Sequence, residues 1–145
     1  MIIVVDTNIV FSALLNSNGK IAHLIINGST HFKYYTINLL KEEISTHKSK
    51  LLKLSGLSES SYESSYNAIV SRIKFINEHL LPYHIVSSAH DLVSGIDVND
   101  ILFVALNDYL QGKLWTGDKK LINGLRSKNY KSVIDTKELY KIFNS

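Results

Sequence analysis

The chain has 145 residues, 45% of them hydrophobic and 20% charged, and a formal net charge of +3, which is the composition of one globular domain rather than of a disordered segment. Its lack of cysteine excludes disulfides, thiolate nucleophiles and cysteine-ligated metal centres. No apolar run reaches the roughly 18 residues of a membrane span and no basic leader opens the chain, so we expect one cytoplasmic domain over residues 1–145 that contacts no membrane.

The first quarter of the chain alternates strand and helix signals. Residues 2–5 are a β-branched run typical of a strand that is buried on both faces. The apolar spacing that follows predicts helices near 9–14 and 21–25, and residues 34–36 predict a second strand. From Ile37 the apolar residues fall on one helical stripe, which predicts a single helix of about 15 residues.

The serine-rich stretch at 55–65 predicts the start of another helix rather than a linker. Ser60 and Glu63 have the spacing of a capping box, and apolar residues continue on one helical face until Pro82 ends the helix. With the helix before it, this element forms a helical hairpin at 37–82. The apolar residues of its face, which serve either the core or a homodimer, are Tyr62, Tyr66, Ile69 and Ile73.

The second half of the chain continues the alternation. The predicted elements are a weak third strand at 84–86, a buried helix at 98–110, a fourth strand at 114–116, a helix at 118–125, a last strand at 132–134 and a terminal helix at 136–143. Strands that alternate with helices predict an α/β domain with a mostly parallel central sheet.

Acidic residues stand where the predicted strands end. Asp6 follows the first strand, Asp118 follows the fourth, and Asp97 and Asp100 open the buried helix. Ligands of an open parallel sheet bind beyond the carboxyl ends of its strands, so these acids are candidate site residues. A helix N-cap is the alternative role for Asp6, Asp97 and Asp118, because a carboxylate there accepts backbone N–H bonds. Asp100 fits that role less well.

Helical phase separates Glu42 from Glu43. At about 100° per residue, Glu42 points away from the apolar stripe of its helix, whereas Glu43 lies at the border of the stripe. Glu43 is therefore the candidate for a fourth carboxylate, with an ordinary boundary position as the alternative.

Converging carboxylates repel one another unless cations neutralise them. Mg²⁺ and Mn²⁺ prefer oxygen ligands and keep several waters, which leaves room for a phosphate. The six histidines show no spacing suited to zinc. A glycine-rich nucleotide-binding loop is also missing, and Asn8 stands where a phosphotransferase of the haloacid dehalogenase type needs a second aspartate.

Four ordered motifs link these acids to a known family. They are Val5-Asp6-Thr7-Asn8, Glu43-Ile44, Asp97-Val98-Asn99-Asp100 followed by Phe103-Val104-Ala105-Leu106, and Leu114-Trp115-Thr116-Gly117-Asp118-Lys119-Lys120-Leu121. Together they resemble the PIN domain. The resemblance implies a three-layer α/β/α sandwich that acts as a Mg²⁺- or Mn²⁺-dependent nuclease, in most members a ribonuclease. Small stand-alone members are often VapC-like toxins of toxin–antitoxin pairs.

The resemblance also assigns residues. The implied metal-binding catalytic set is Asp6, Glu43, Asp100 and Asp118. Asp97 matches an additional acid of many members, and Asn8 and Thr116 match polar positions that support the site. Ile37 stands where relatives often have proline, so Glu42 remains the fallback for the second acid.

The implied reaction is hydrolysis of an RNA phosphodiester that leaves a 5′-phosphate and a 3′-hydroxyl, and the implied partners are RNA and an antitoxin protein. The alternatives are an RNA-processing nuclease unrelated to toxin–antitoxin function, and a non-catalytic interaction module on the same fold. Charge is uneven along the chain, with a net +3 over residues 1–53, −5 over 54–112 and +5 over 113–145. The candidate RNA contacts, for which a solvated helix face is the alternative, are Lys48, Lys50, Lys53, Lys119 and Lys120.

Overall fold

Five strands form the sheet in the part of the chain that the computed structural model describes, residues 1–96 and 98–145. They are β1 (Ile2–Val5), β2 (Lys33–Ile37), β3 (Ile73–Ile76), β4 (Lys113–Trp115) and β5 (Val133–Ile134). Their order across the sheet is β3-β2-β1-β4-β5, and every neighbouring pair is parallel. All strands therefore end at one side of the sheet, the carboxyl edge, and begin at the other, the amino edge.

Strand β1 explains why the sheet is covered on both faces. Its side chains alternate, so that Ile3 and Val5 pack into one hydrophobic cluster and Val4 into the other, all fully buried. Leu114 and Trp115 of β4 divide between the two clusters in the same way. A strand that is apolar on both faces needs a layer of helices on each side.

The helices supply these layers. They are α1 (Thr7–Leu15), α2 (Lys20–Gly28), α3 (Leu39–Thr46), α4 (Lys48–Ser55), α5 (Glu59–Val70), α6 (Tyr83–Val93), α7 (Ile101–Leu110), α8 (Lys119–Ser127) and α9 (Thr136–Phe143). Helices α1 to α5 and α9 share one cluster with the sheet, and α6 to α8 share the other. The predicted three-layer α/β/α architecture is confirmed.

The prediction of one long helix ending at Pro82 is wrong. Helix α5 ends at Val70, and the next apolar residues form β3, which pairs with β2 through Tyr34 opposite Ile73 and Ile37 opposite Ile76. Ile73 and Ile76 are three residues apart, a spacing that fits a helix as well as a strand end. The start of α5 also differs from the predicted capping box, because Ser58 rather than Ser60 is the N-cap. Its Oγ accepts a 3.1 Å hydrogen bond from Ser61 N–H.

The prediction of a strand at 84–86 is also wrong, because these residues lie in α6. Pro82 occupies the N-cap position of that helix with φ −59°, so it begins a helix where the sequence suggested an end. Proline is well tolerated at a helix start, since its missing N–H would have no partner there. Ile85 and Val86 then pack into the cluster beneath α7.

The predicted helical hairpin is made of three helices rather than two. The helix expected from Ile37 breaks at His47, where α3 ends and α4 begins. Helix α5 then packs against α1 and α2. Tyr62, Ile69 and Ile73 are buried in this chain's own cluster, so they belong to the core.

Among the described residues, no single helix has the length and apolar character of a membrane span. Within residues 1–96 and 98–145, the pair α1 and α2 together passes the same test of length and apolar character, across a bend of 111°.

Candidate active site

Asp6 directly follows β1 at the carboxyl edge and is 4% exposed. Its Oδ1 accepts a 2.7 Å hydrogen bond from the backbone N–H of Thr7, which caps α1. Its Oδ2 accepts a 2.8 Å hydrogen bond from the hydroxyl of Thr116, which directly follows β4. The predicted capping role and the predicted site position are thus combined in one carboxylate.

A polar network joins the ends of β1 and β4. Asn8 Nδ2 donates to Asp6 Oδ2 and to Thr116 Oγ1, both at 3.1 Å. The amide oxygen of Asn8 accepts a 2.9 Å bond from Gly117 N–H, and Thr116 Oγ1 accepts a 3.2 Å bond from Asp118 N–H. Both predicted supporting residues therefore contact the carboxylate of Asp6 and fix its orientation.

Asp118 is the N-cap of α8. Its Oδ1 accepts bonds from Lys120 N–H at 3.0 Å and Leu121 N–H at 3.2 Å. The side chain is held by the helix start at the carboxyl edge, next to the network around Thr116. Like Asp6, it combines a capping role with a place at the candidate site.

Glu43 reaches the same region from α3. The hydroxyl of Thr7 donates a 2.8 Å hydrogen bond to Glu43 Oε1, whereas Glu42 is exposed. The helical phase read from the sequence is therefore correct, and Glu43 rather than Glu42 contacts the residues around Asp6. Sequence reasoning missed Thr7, because a threonine after an N-cap aspartate carries no signal of its own.

Asp100 ends a short 3₁₀ turn, Val98–Asp100, directly before α7, and is 8% exposed. Helix α7 packs against β1, β2 and β4, and its C-terminal end leads into the start of β4. It therefore runs antiparallel to the strands, which places Asp100 toward the carboxyl edge. Asp97, the additional acid, lies outside the described residues.

Negative charge accumulates around Asp6. Burial raises the pKa of its carboxyl to about 6, and the hydrogen bonds from Thr116 and Thr7 oppose that rise. The carboxylates of Glu43 and Asp118 are smaller contributors to the same rise, so the three acids interact electrostatically. A carboxylate buried beside two like charges is stabilised by a cation.

Comparison with known proteins shows the family and the fold. The sequence model of the PIN domain family matches residues 4–138. The chain belongs to the PIN domain family. The fold of this PIN domain is similar to that of a chain in the crystal structure of VapBC2 from Rickettsia felis bound to a DNA fragment from their promoter, with a TM-score of 0.64 and 15% identity. The similarity covers 93% of this chain and 97% of that one. No curated protein matches the sequence.

The donor chemistry of this PIN domain suits a hard divalent cation. The groups at the site are oxygen donors, and the pKa of Asp6 is raised first by burial and then by Glu43 and Asp118, so a bound cation would favour its ionised form. Among the described residues, no three histidine, aspartate or glutamate side chains lie close enough to hold one ion between them. Mg²⁺ is usually held by one or two carboxylates and several waters, so such a close group is not required.

The predicted RNA contacts fall into two groups. The ammonium of Lys48 is paired with Glu59 at 3.1 Å and Glu63 at 2.6 Å, so its charge is already neutralised within the PIN domain. The remaining candidates, which are exposed, are Lys50, Lys53, Lys119 and Lys120. Lys119 and Lys120 begin α8 directly beside Asp118 and are thus the candidates nearest the site.

Proposed function

We propose that this PIN domain is a Mg²⁺- or Mn²⁺-dependent endoribonuclease. The observation that carries the proposal is the buried carboxylate of Asp6, whose pKa is raised to about 6 by burial and by Glu43 and Asp118. A group of carboxylates of this kind repels a phosphodiester, so RNA approaches it productively only when a cation is bound. Family membership supports the same reaction class.

The proposed metal-binding residues are Asp6, Glu43, Asp100 and Asp118, of which one or two carboxylates would bind the ion directly and the others through coordinated waters. When bound, the divalent ion lowers the pKa of a coordinated water and stabilises charge on the phosphate oxygens. Asn8 and Thr116 hold the Asp6 carboxylate in one orientation through bonds of 3.1 and 2.8 Å. Thr7 does the same for Glu43. The proposed roles of these three residues are therefore orientation of ligands.

Lys119 and Lys120 are proposed to hold the RNA backbone beside the site. Both are exposed at the start of α8, and the carboxylate of Asp118 accepts the backbone N–H of Lys120 at 3.0 Å. Their ammonium groups therefore extend from the same turn that positions a proposed metal ligand. A lysine contacts phosphates without reading the base sequence, so this part of the site positions RNA rather than selecting it.

We further propose that the protein is the toxin of a type II toxin–antitoxin pair and acts in the cytoplasm. The fold similarity to a chain of VapBC2 supports this proposal, together with the small size of the chain. Its partners would then be an RNA substrate and an antitoxin protein. A small upstream gene that overlaps this one is expected, and a gene without such a neighbour argues against the toxin role.

The test of the nuclease proposal compares wild-type protein with Asp6→Asn, Asp100→Asn, Glu43→Gln and Glu42→Gln on mixed RNA, with Mg²⁺, Mn²⁺ or EDTA. We expect the first three substitutions to lower the cleavage rate more than about 100-fold, since each removes a proposed ligand. Glu42→Gln is the matched control and should cleave like wild type. Equal cleavage by all five proteins, or full cleavage in EDTA, would show a contaminating or metal-independent nuclease. Metal binding without cleavage by wild-type protein favours the interaction-module alternative.

A second experiment tests the toxin role. Induced expression of wild-type protein in a bacterial host should arrest growth, and Asp100→Asn should not. Coexpression of the small upstream gene should restore growth if that gene encodes the antitoxin. A wild-type protein that cleaves RNA in vitro but leaves growth unchanged supports an RNA-processing nuclease instead.

A further inference from the structure

Four basic residues lie on strands β2, β3 and β4 or directly before them, and Lys33, Arg72 and Lys113 stand where these strands begin, away from the candidate site. Lys33 begins β2, Arg72 directly precedes β3, Lys74 is the second residue of β3, and Lys113 begins β4. The register pairs Ile2 with Lys33 and Ile3 with Lys113, so these two lysines lie on either side of β1 near its start. Because Ile2 and Ile3 are successive residues of one strand, the side chains of Lys33 and Lys113 lie on opposite faces of the sheet.

Three of these cations line one open groove. Lys33, Arg72 and Lys74 surround a groove of about 370 Å³ that Tyr35, Ser29 and Ser71 also line. Tyr34 lies opposite Ile73 in the register and both side chains pack into the core beneath α2 and α5. Because successive side chains of a strand point to opposite faces, Lys33 and Lys74 point away from that core.

The charge of this groove is not neutralised within the part of the chain that the structure describes. The ion pairs found there connect Lys48, His90 and Arg126 to acids, and none involves Lys33, Arg72 or Lys74. The guanidinium of Arg72 donates only to neutral oxygens, the carbonyl of Ala68 at 3.2 Å and the hydroxyl of Ser71 at 3.1 Å.

An acid also occurs at the amino edge, but toward the other end of the sheet. Asp108 accepts a 2.7 Å bond from Tyr130 Oη close to the start of β5. The positive charge is therefore concentrated at the β2–β3 end.

Protection of a free sheet edge accounts for only part of this group of basic residues. Charged residues on an edge strand prevent pairing with other chains, which accounts for Lys74 on β3. Lys33 and Lys113, however, lie on β2 and β4, which have strands on both sides. Edge protection therefore does not account for their charges.

We propose that Lys33, Arg72 and Lys74 bind the phosphate backbone of the RNA substrate at a second contact, remote from the cleavage site. This inference rests on the proposed ribonuclease function for the identity of the polyanion. Lys33 is level with Ile2 in the register and Asp6 directly follows Val5, so at about 3.3 Å per residue about 13 Å of backbone separates the levels of Lys33 and Asp6. An RNA that contacts both edges must extend well beyond the cleaved bond, so the contact favours long or folded RNA over short fragments.

The binding test uses full-length Asp100→Asn protein, which is expected to bind without cutting, and fluorescence anisotropy with RNAs of 30 and 5 nucleotides. The triple variant Lys33→Gln, Arg72→Gln, Lys74→Gln is compared with Lys20→Gln, Lys137→Gln, Lys141→Gln, a control with the same loss of charge around α9. We expect the first variant to bind the long RNA about tenfold more weakly, with a slope of log Kd against log salt reduced by about 2. The control should change Kd less than about twofold.

The kinetic test uses the same triple variants without the Asp100 substitution. The groove variant should raise KM for the long RNA, leave kcat unchanged and cleave the short RNA like wild type. The charge-conserving variant Lys33→Arg, Arg72→Lys, Lys74→Arg should have the Kd and KM of wild type. This result would show that the groove variant is impaired by its loss of charge and not by misfolding.

Equal weakening by the groove and control variants would show a general charge effect and overturn the proposal, as would an unchanged KM in a protein that cleaves RNA. A larger loss for double-stranded DNA than for RNA of the same length would overturn the assignment to RNA. If wild type does not cleave RNA while the groove variant still loses RNA binding, the nuclease proposal fails and the RNA contact remains.

Discussion

Thr7 connects the two carboxylates of Asp6 and Glu43. Its backbone N–H donates to Asp6 Oδ1 at 2.7 Å, and its hydroxyl donates to Glu43 Oε1 at 2.8 Å. Thr7 begins α1 and Glu43 lies in α3. Thr7 therefore fixes the position of the Glu43 carboxylate relative to Asp6 at the end of β1.

Thr7→Val should test the hydrogen bond from Thr7 to Glu43 without changing the packing of the side chain. Valine keeps the shape of threonine and removes the hydroxyl, so Glu43 loses its anchor while the backbone bond to Asp6 remains. We expect Mn²⁺ affinity and cleavage rate to fall about tenfold. Isothermal titration with Mn²⁺ and single-turnover cleavage provide the measurements. Thr7→Ser keeps the hydroxyl and should behave like wild type, and a serine variant as impaired as the valine variant would contradict the anchoring role.

The pH dependence of stability should report the ionisation of Asp6. In the metal-free protein its pKa is about 6, against an ordinary value of 3.8, so the folded state holds the proton more tightly than the unfolded chain. This group's contribution to stability is therefore greatest below pH 4 and is lost as the pH rises through 6. The full loss is about 3 kcal/mol.

Urea unfolding in EDTA between pH 4 and pH 8 measures that loss. Asp6→Asn carries no titrating group at this position, so its free energy of unfolding should vary less with pH than that of wild type. The two curves should diverge mainly between pH 4 and pH 7. Parallel curves over that range would show that Asp6 titrates normally and that the charge at the site is already compensated.

Thr116→Val should impair both stability and the site. The hydroxyl of Thr116 is fully buried, donates to Asp6 and accepts from Asn8 and from the backbone of Asp118. Its loss leaves buried polar groups without a partner, at a cost of about 1–3 kcal/mol. The pKa of Asp6 should rise further, because this hydrogen bond lowers it. Unfolding in urea measures the first effect, and the pH at which stability is lost measures the second; Thr116→Ser should restore both.

The sequence predicts the central strands well and the periphery less well. The strands β1 and β4 are short apolar runs that end at polar residues, a pattern with one interpretation in an α/β chain. The segment that forms β3 contains Ile73 and Ile76, whose spacing also suits a helix, and only its pairing with β2 decides between them. Local periodicity cannot contain that information, since the pairing joins residues about forty positions apart.

The candidate site shows a similar limit. Positions after strand ends located Asp6 and Asp118, and helical phase placed Glu43 rather than Glu42 toward the site. The bond between Thr7 and Glu43 depends on how α1 and α3 pack, which no phase argument supplies. The distribution of charge in the folded protein is likewise not visible in the sequence. Counted along the chain, charge divides into blocks, whereas the fold places Lys33 and Arg72 where two strands begin and Asp6 where another ends.

Gly124 is expected to be a close-packing position beneath the segment that leads to Asp100. A Cβ at Gly124 would lie 2.7 Å from Ile96 Cδ1 and 2.9 Å from its Cγ1, so rotation of one end group cannot relieve the contact. Overpacking costs about 1–3 kcal/mol, and the better helix propensity of alanine returns about 1 kcal/mol, so Gly124→Ala should lower the free energy of unfolding by about 1 kcal/mol. Urea unfolding measures it, with the exposed neighbour substitution Asn123→Ala as control. Ile96→Ala should cost less in the Gly124→Ala protein than in wild type, and additive effects would show that the two residues do not touch.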